Sequence, residues 1–398
     1  MIHKSYKFRL FPTKKQQELL SKHFGHCRFV FNRFLSERKE TYEKDNTSLN
    51  YYDNAKSLTE LKKHMDFAWL KEVNSQSLQA SLKNLDTAYQ NFFRKQNQFP
   101  RFKSKYDNQS FKIPQNVKIE EEKLIIPKFR EGIKLKQHRK LEGKILFATV
   151  SKTTTGKYFV SITCEQNHTS YPRTGKAVGI DTGIKELAIL SNGSRYENIQ
   201  SLKTSLKKLK YEQRQLSKKQ KGSHSRMKQK RKLVLVHEKI TNTRKDYLHK
   251  VSTEIIKNHD VIVVEDLAVK NILKNHRLAQ AMSDVSLGAF YTMLEYKANW
   301  NEKDYVKIDR FFPSSKTCSA CGWINEKLKL SDRQWTCSGC GQTHDRDLNA
   351  SKNILNQGLK IWSGYGTQSD IKQKREKALS LDESMNPEAL PIGFAVGG

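Results

Sequence analysis

Residues 261–265 read Val-Ile-Val-Val-Glu, four β-branched apolar residues in a row closed by an acid. A strand with one wet face alternates apolar and polar positions, whereas a run apolar at every position is what a strand buried on both faces requires. Val261–Val264 therefore predicts a central strand of an α/β layer, with Glu265 at its carboxyl end. A new domain starts near Gly175, where Val178, Ile180, Leu187, Ile189 and Leu190 have the pattern of a hairpin about Gly183, and Asp181 follows the apolar Val178-Gly179-Ile180. Downstream, His344-Asp345-Arg346-Asp347-Leu348-Asn349-Ala350 leads into a predicted helix from Leu348 to Leu355.

An acid in or beside a buried strand must be paired or ligate a cation to offset its desolvation. Three converging carboxylates are what two divalent cations about 4 Å apart need to clamp the attacking and leaving oxygens of a phosphodiester. Mg²⁺ is the fitting hard ion, with Mn²⁺ a second choice. Taken one at a time the acids have ordinary roles open to them: Asp181 in a turn, Glu265 in a salt bridge to a lysine, Asp347 as an N-cap. Spacing alone leaves open whether they meet. His344 beside them reads better as structural or exposed than as a ligand or proton relay.

The spacing of Cys318-Ser-Ala-Cys321, fifteen residues, then Cys337-Ser-Gly-Cys340 makes two knuckles. Four thiolates so arranged match tetrahedral Zn²⁺, and Gly322 and Gly341 suit the tight turn after each pair. The competing reading, two redox pairs, lacks the surrounding βαβ pattern. With Cys at all four positions no coordination site stays open, so the zinc is expected to be structural.

Further out, Tyr6, Phe8 and Leu10 alternate with Lys7 and Arg9 as in a half-buried strand, and Thr13 with Gln16 forms a capping box. Leu20, Phe24, Cys27, Phe31 and Phe34 share one helical face, which makes Cys27 a core thiol; Leu78, Leu82, Leu85, Tyr89 and Phe92 share another. Residues 110–170 turn to the period of strands, with Val117–Pro127, Ile145–Lys152 and Tyr158–Glu165 as strands, the last two joined through Thr153–Gly156, and Cys164 packed inside. The first strand would close this sheet into a small barrel. Residues 201–250 hold 17 Lys and Arg against 3 acids, broken at Gly222-Ser223, the pattern of a basic helical pair. A charge run is often merely a solvated face, but a one-signed excess of this size favours contact with a nucleic-acid backbone.

Over the whole chain of 398 residues, 73 Lys and Arg against 41 Asp and Glu leave a net charge of +32. Such a surplus points to a polyanionic partner, and the length to several modules. No apolar run reaches bilayer-spanning length, and the charged start is not that of a signal peptide, so a reducing, cytoplasmic setting is expected, with six cysteines serving as thiols or ligands. Neither a P-loop nor GxGxxG occurs.

YKFRLFPTKKQ and CRFVFNRFL at the start, FPRFKS at 99–104, GIDTGIKELAILSNG at 179–193, VIVVEDLAVKN at 261–271, SSKTCSACG at 314–322 and HDRDLNASKNIL at 344–355 occur in the order and spacing of one family. In them the chain resembles TnpB, the insertion-sequence-encoded RNA-guided nucleases related to type V CRISPR effectors. The resemblance implies a RuvC, ribonuclease H-like nuclease domain at 173–313 and 344–365 with a zinc ribbon inserted at 314–343. It also implies a wedge β-barrel at 1–10 and 105–172 carrying a helical recognition domain at 11–104; residues 366–398, polar and aperiodic, are read as a disordered tail. The family's Asp, Glu, Asp order falls on Asp181, Glu265 and Asp347, with Asp345 the near miss. NSQSLQASLKNL at 74–85 resembles the helix that faces the motif beside the DNA target, which makes Ser75, Gln76 and Gln79, and more loosely Tyr52, candidate readers of it. The implied partners are a guide RNA and double-stranded target DNA, bound by a nucleoid-associated monomer. Rivals are an RNA-guided regulator without nuclease activity, which would lack one of the acids, a strand-joining transposase, and a plain RNA-binding module.

Overall fold

The computed structural model describes residues 1–267, 279, 283–329 and 331–364. The chain divides into two compact units, Met1–Asn167 and His168–Gly398. The tail expected to be disordered, and the end of the string at 261–271, lie outside the described residues.

In the first unit a seven-stranded antiparallel sheet has the order β2-β6-β7-β1-β5-β4-β3. Its strands are β1 (Ile2–Phe11), β2 (Gln109–Ile113), β3 (Lys118–Glu120), β4 (Lys123–Ile126), β5 (Phe129–Lys136), β6 (Lys144–Lys152) and β7 (Tyr158–Gln166). The alternation in β1 buries Tyr6, Phe8 and Leu10. β1 pairs with both β7 and β5 and so lies inside the sheet, joining its two halves. The hydrogen-bonded ladder ends at β2 and β3, so the expected barrel is a half-barrel. The stretch 117–127, expected as one strand, is a hairpin: Glu121 and Glu122, at φ 46 and 57, make the two-residue turn between β3 and β4. Both central residues of such a turn need positive φ, and the sequence has neither Asn nor Gly there to announce it.

Thr13 and Gln16 form the capping box at the head of α1 (Lys14–Asp45), whose Leu20, Phe24, Cys27, Phe31 and Phe34 are all buried. Burial pushes the Cys27 thiol up to about 12, an inert core thiol as expected. Helices α2 (Tyr51–Leu61) and α3 (Ser75–Phe93) are fastened to α1 by one buried guanidinium. Arg38 Nε donates to Asn54 Oδ1 at 2.5 Å, and its Nη2 donates to Asp86 Oδ1 at 3.1 Å.

In the second unit a five-stranded sheet runs β10-β9-β8-β11-β12. Here β8 (Ala177–Asp181), β9 (Glu186–Leu190) and β10 (Arg195–Glu197) form an antiparallel meander, and β11 (Val261–Glu265) lies parallel to both β8 and β12 (Asp304–Ile308). Val261 to Val264 are buried at 7, 0, 0 and 0% exposure, as a two-faced central strand demands. The basic pair is present as α4 (Ser201–Ser217) and α5 (His224–Asn258), with Ser223 capping α5 and Gly222 at φ 84 between them. Gln200 gives α4 no side-chain cap; Asp284 supplies one, accepting from the Leu202 and Lys203 backbone N–H groups while Arg244 holds it at 3.0 Å. α6 (Leu287–Trp300) buries Leu287, Phe290 and Leu294 in the larger core of this unit.

The last helix, α7 (Arg346–Gly364), crosses β8 and β11 so closely that glycine is needed at both crossings. A Cβ on Gly179 would strike the Ser351 carbonyl and the Leu355 backbone, and one on Gly358 would strike the Val263 side chain. Gly179→Ala is expected to cost about 2–3 kcal/mol, since backbone must move to admit the methyl. At about 2–4 °C per kcal/mol for a unit of this size, thermal unfolding should move down by about 4–12 °C; an unchanged midpoint would refute the close crossing.

Candidate carboxylate site and cysteine cluster

The register of β8 and β11 brings the first two acids level. Val264 pairs with Ile180, and the next residue on each strand is Glu265 and Asp181. Neighbouring strands stand about 4.8 Å apart, so both acids sit side by side at the carboxyl edge of two parallel strands. Burial raises the Asp181 carboxyl well above its ordinary value, and the negative charges of Glu265 and then Asp347 raise it further, with Arg346 opposing them. Burial also raises Glu265, against a hydrogen bond from Ser314, whose Oγ donates to Glu265 Oε1 at 2.6 Å. Tyr291 on α6 stands beside the pair: its hydroxyl shares a 2.5 Å hydrogen bond with Thr182 Oγ1, and burial with the nearby Glu265 and Asp181 charges holds it protonated.

Asp347 arrives from the first turn of α7, held by Arg346 Nη2 at 2.8 Å and Arg333 Nη1 at 3.1 Å. Asp345 does something else. Its Oδ1 accepts from the Leu348 N–H, capping α7, and its Oδ2 pairs with Arg195 at 3.0 Å. Burial pushes the Asp345 carboxyl up, but the Leu348 N–H and Arg195 outweigh it and bring the group below its usual value. Carboxylates near enough for Glu265 and Asp347 to raise Asp181 are the kind of hard-oxygen donors that small divalent cations take. Sequence reading missed Ser314, Arg333 and Tyr291 as neighbours of the acids. Ser314 lay inside a quoted string, but nothing marked its hydroxyl as the useful group, and for the other two no local signal exists.

The four cysteines meet. Their sulfurs all lie within 4.8 Å of one another, with Cys318–Cys340 at 3.7 Å and Cys321–Cys337 at 3.6 Å. A disulfide needs about 2.05 Å, whereas thiolates tetrahedral about zinc at 2.3 Å stand about 3.8 Å apart. Each knuckle closes the same way: Gly322 N–H donates to Cys318 O and Gly341 N–H to Cys337 O, with both glycines at positive φ (80 and 73). The donor set fits Zn²⁺. His344 is buried with Nε2 at 3.0 Å from Cys318 Sγ and its ring against Trp335, which gives it a structural place in this module.

Of the proposed motif readers, Gln76 and Gln79 line one groove of about 240 Å³ with Tyr51, Lys83, Lys112 and Gln115, in the first unit. Gln76 Nε2 donates to Gln115 Oε1 at 3.1 Å, and its buried Oε1 has no partner. Ser75 and Tyr52 are exposed and outside that lining, Tyr52 with its ring 5.4 Å from that of Tyr51. No described helix is long and apolar enough to cross a membrane.

Three family models match in succession: a helix-turn-helix domain over residues 1–47, "Probable transposase" over 161–276, and the TNB domain of Cas12f1-like proteins over 288–354. Residues 14–45 form one unbroken helix, so the first description does not fit the local structure. A protein of Streptomyces pristinaespiralis is 41% identical over 397 residues, 97% of this chain and 96% of its own length, and InsQ of Escherichia coli K12 is 37% identical over 391, 94% and 96%; both are named "Putative RNA-guided DNA endonuclease". The TnpB-like protein L79 of Acanthamoeba polyphaga mimivirus is 24% identical over 90% of this chain and 74% of its own. Among solved structures, a Cas12f1–sgRNA–target DNA complex covers 89% of this chain and 99% of its own protein chain at 17% identity and a TM-score of 0.36. Near-complete overlap at such identity decides the matter: this chain belongs to the TnpB family of insertion-sequence-encoded RNA-guided DNA endonucleases.

Proposed function

We propose that the second unit is a RuvC, ribonuclease H-like nuclease in which Asp181, Glu265 and Asp347 hold two Mg²⁺ ions, and that an RNA from the protein's own element directs it to cut both strands of DNA beside a short motif. One observation carries the reading: two carboxylates stand level on adjacent parallel strands, with a third, from a helix crossing over them, near enough to raise the first. When bound, the cations supply a nucleophile from water and stabilise the leaving oxygen. The strand order, a three-stranded antiparallel meander continued by two parallel strands, supports the ribonuclease H-like assignment.

Asp345 caps α7 and pairs with Arg195, whereas Asp347, itself held by Arg346 and Arg333, is the one whose charge reaches Asp181, which favours Asp347. The domain limits are proposed as 1–10 with 105–172 for the wedge, 11–104 for recognition, 173–313 with 344–365 for the nuclease and 314–343 for the zinc ribbon. Gln76 and Gln79, set in a polar groove with Lys83 and Lys112, are favoured as readers of the motif over Ser75 and Tyr52. Base pairing carries sequence specificity in such a protein, so the chain itself has chiefly to neutralise phosphates. The exposed Lys207, Lys208, Lys210, Arg214, Lys228 and Arg231 of the α4–α5 pair are suited to that.

The test is to purify the chain from cells carrying its element, sequence the RNA that comes with it, and offer plasmids matched to that RNA in Mg²⁺. Linearised plasmid, dependent on the match, is the expected result, with affinity falling steeply as salt rises. Guided binding without cutting would favour the regulator, and joined strands the transposase.

A further inference from the structure

The cysteine module touches the carboxylate site through its chain ends. Ser314, 7% exposed, stands at the amino-terminal side of the first knuckle, and its Oγ donates to Glu265 Oε1 at 2.6 Å. Its own carbonyl accepts from Asn353 Nδ2 at 2.8 Å, and the same amide reaches Thr317 O at 2.5 Å. One turn earlier on α7, Asn349 Nδ2 donates to Thr317 O at 2.7 Å, while its Oδ1 accepts from the Ser319 N–H at 2.9 Å. Asn349 and Asn353 are themselves buried, at 2 and 5% exposure.

These bonds form a closed path. The backbone on either side of Cys318 is tied to α7, the helix that carries Asp347, and the residue tied beside it holds Glu265. A serine hydroxyl has one proton to give, and here it is given to a single carboxylate oxygen, which fixes the rotamer of Glu265 and leaves Oε2 for another partner. Among the described residues, Asp181 lies near Glu265, as does Tyr291, whose hydroxyl is engaged with Thr182.

The geometry points to Ser314 as a positioning residue that sets Glu265 for cation binding, with Asn349 and Asn353 relaying the seat of the first cysteine knuckle to both Glu265 and Asp347. This rests on the three-acid reading above. It assigns the module a share in preparing the cation site, distinct from any contact it makes with nucleic acid.

The experiment measures Mn²⁺ binding to the full zinc-loaded chain by titration calorimetry, with no nucleic acid present, for the parent, Ser314→Ala, Glu265→Gln and the double variant. Ser314→Ala removes one hydroxyl and is expected to keep its zinc content and thermal midpoint while weakening Mn²⁺ at least fivefold. In the Glu265→Gln background the same substitution should change affinity less than twofold, because the group through which it acts is gone. Parental Mn²⁺ affinity in Ser314→Ala, or an equal loss in both backgrounds, overturns the inference. Parental affinity in Glu265→Gln instead overturns the three-acid reading, so the two failures are told apart.

Discussion

Replacing Asp181 by Asn is expected to abolish DNA cutting, with guide-RNA and target binding held within a few-fold of the parent. A clamp of divalent cations is worth several kcal/mol of transition-state charge stabilisation, and at 1.4 kcal/mol per decade that is a loss of about 10³-fold or more. Burial, then the charges of Glu265 and Asp347, raise the Asp181 carboxyl. The same substitution has a second, opposite signature. A carboxyl whose folded pKa is raised binds protons more tightly in the folded than in the unfolded chain, so it lowers stability as pH climbs from the ordinary aspartate value through the raised one. At neutral pH, without cations, Asp181→Asn should therefore be the more stable protein. That gain should appear as a raised midpoint in metal-free thermal unfolding. Guided plasmid cleavage and metal-free thermal unfolding check the pair; a variant that cuts at the parental rate, or melts below the parent, removes Asp181 from the site.

How much of this was legible beforehand depends on the range of the interaction. The central strand could be read because burial on both faces forces apolar residues at every position, a purely local rule obeyed by Val261–Val264. The capping box at Thr13 and the knuckle glycines could be read for the same reason. The hairpin at Glu121-Glu122 could not, because two glutamates at positive φ violate the local preference and are held there by the pairing of β3 with β4 and of β4 with β5. The half-barrel was misjudged because alternation marks a strand but not its neighbours. For the acids, sequence could nominate Asp181 and Glu265 but not the register that sets them level, and the choice between Asp345 and Asp347 came from a resemblance. In the structure Asp345, the residue before the helix, caps α7 and pairs with Arg195, while Asp347, in its first turn, is held by Arg346 and Arg333 and lies near enough to Asp181 to raise it. Arg333 and Ser314 meet the acids only through tertiary folding, and no window of sequence contains that fact.

Stripping zinc from the chain is expected to unfold residues 314–343 and to stop cutting with them. The module has almost no core of its own: Cys318, Trp335 and Cys337 are buried with Leu328 partly packed on them, and a two-stranded ladder of β13 (Gln334–Thr336) and β14 (Thr343–Asp345) completes it. Thirty residues bury too little surface to fold unaided, whereas a structural zinc contributes about 10–16 kcal/mol in peptides of this kind. The loss should propagate. Without the knuckle, Asn349 loses the Ser319 N–H and Thr317 O, Asn353 loses Thr317 O, and Arg333 no longer faces Asp347 from its place opposite Arg346. The Cys337→Ser/Cys340→Ser variant should accordingly be cut by proteases between 314 and 343 while the first unit, with its separate core, stays resistant. Metal analysis of the parent should return one zinc per chain, and cobalt in its place should give the visible spectrum of tetrahedral thiolate ligation. A zinc-free chain that resists protease across 314–343 would show that packing alone holds the module, and the cysteine cluster would then have to be explained by something other than its fold.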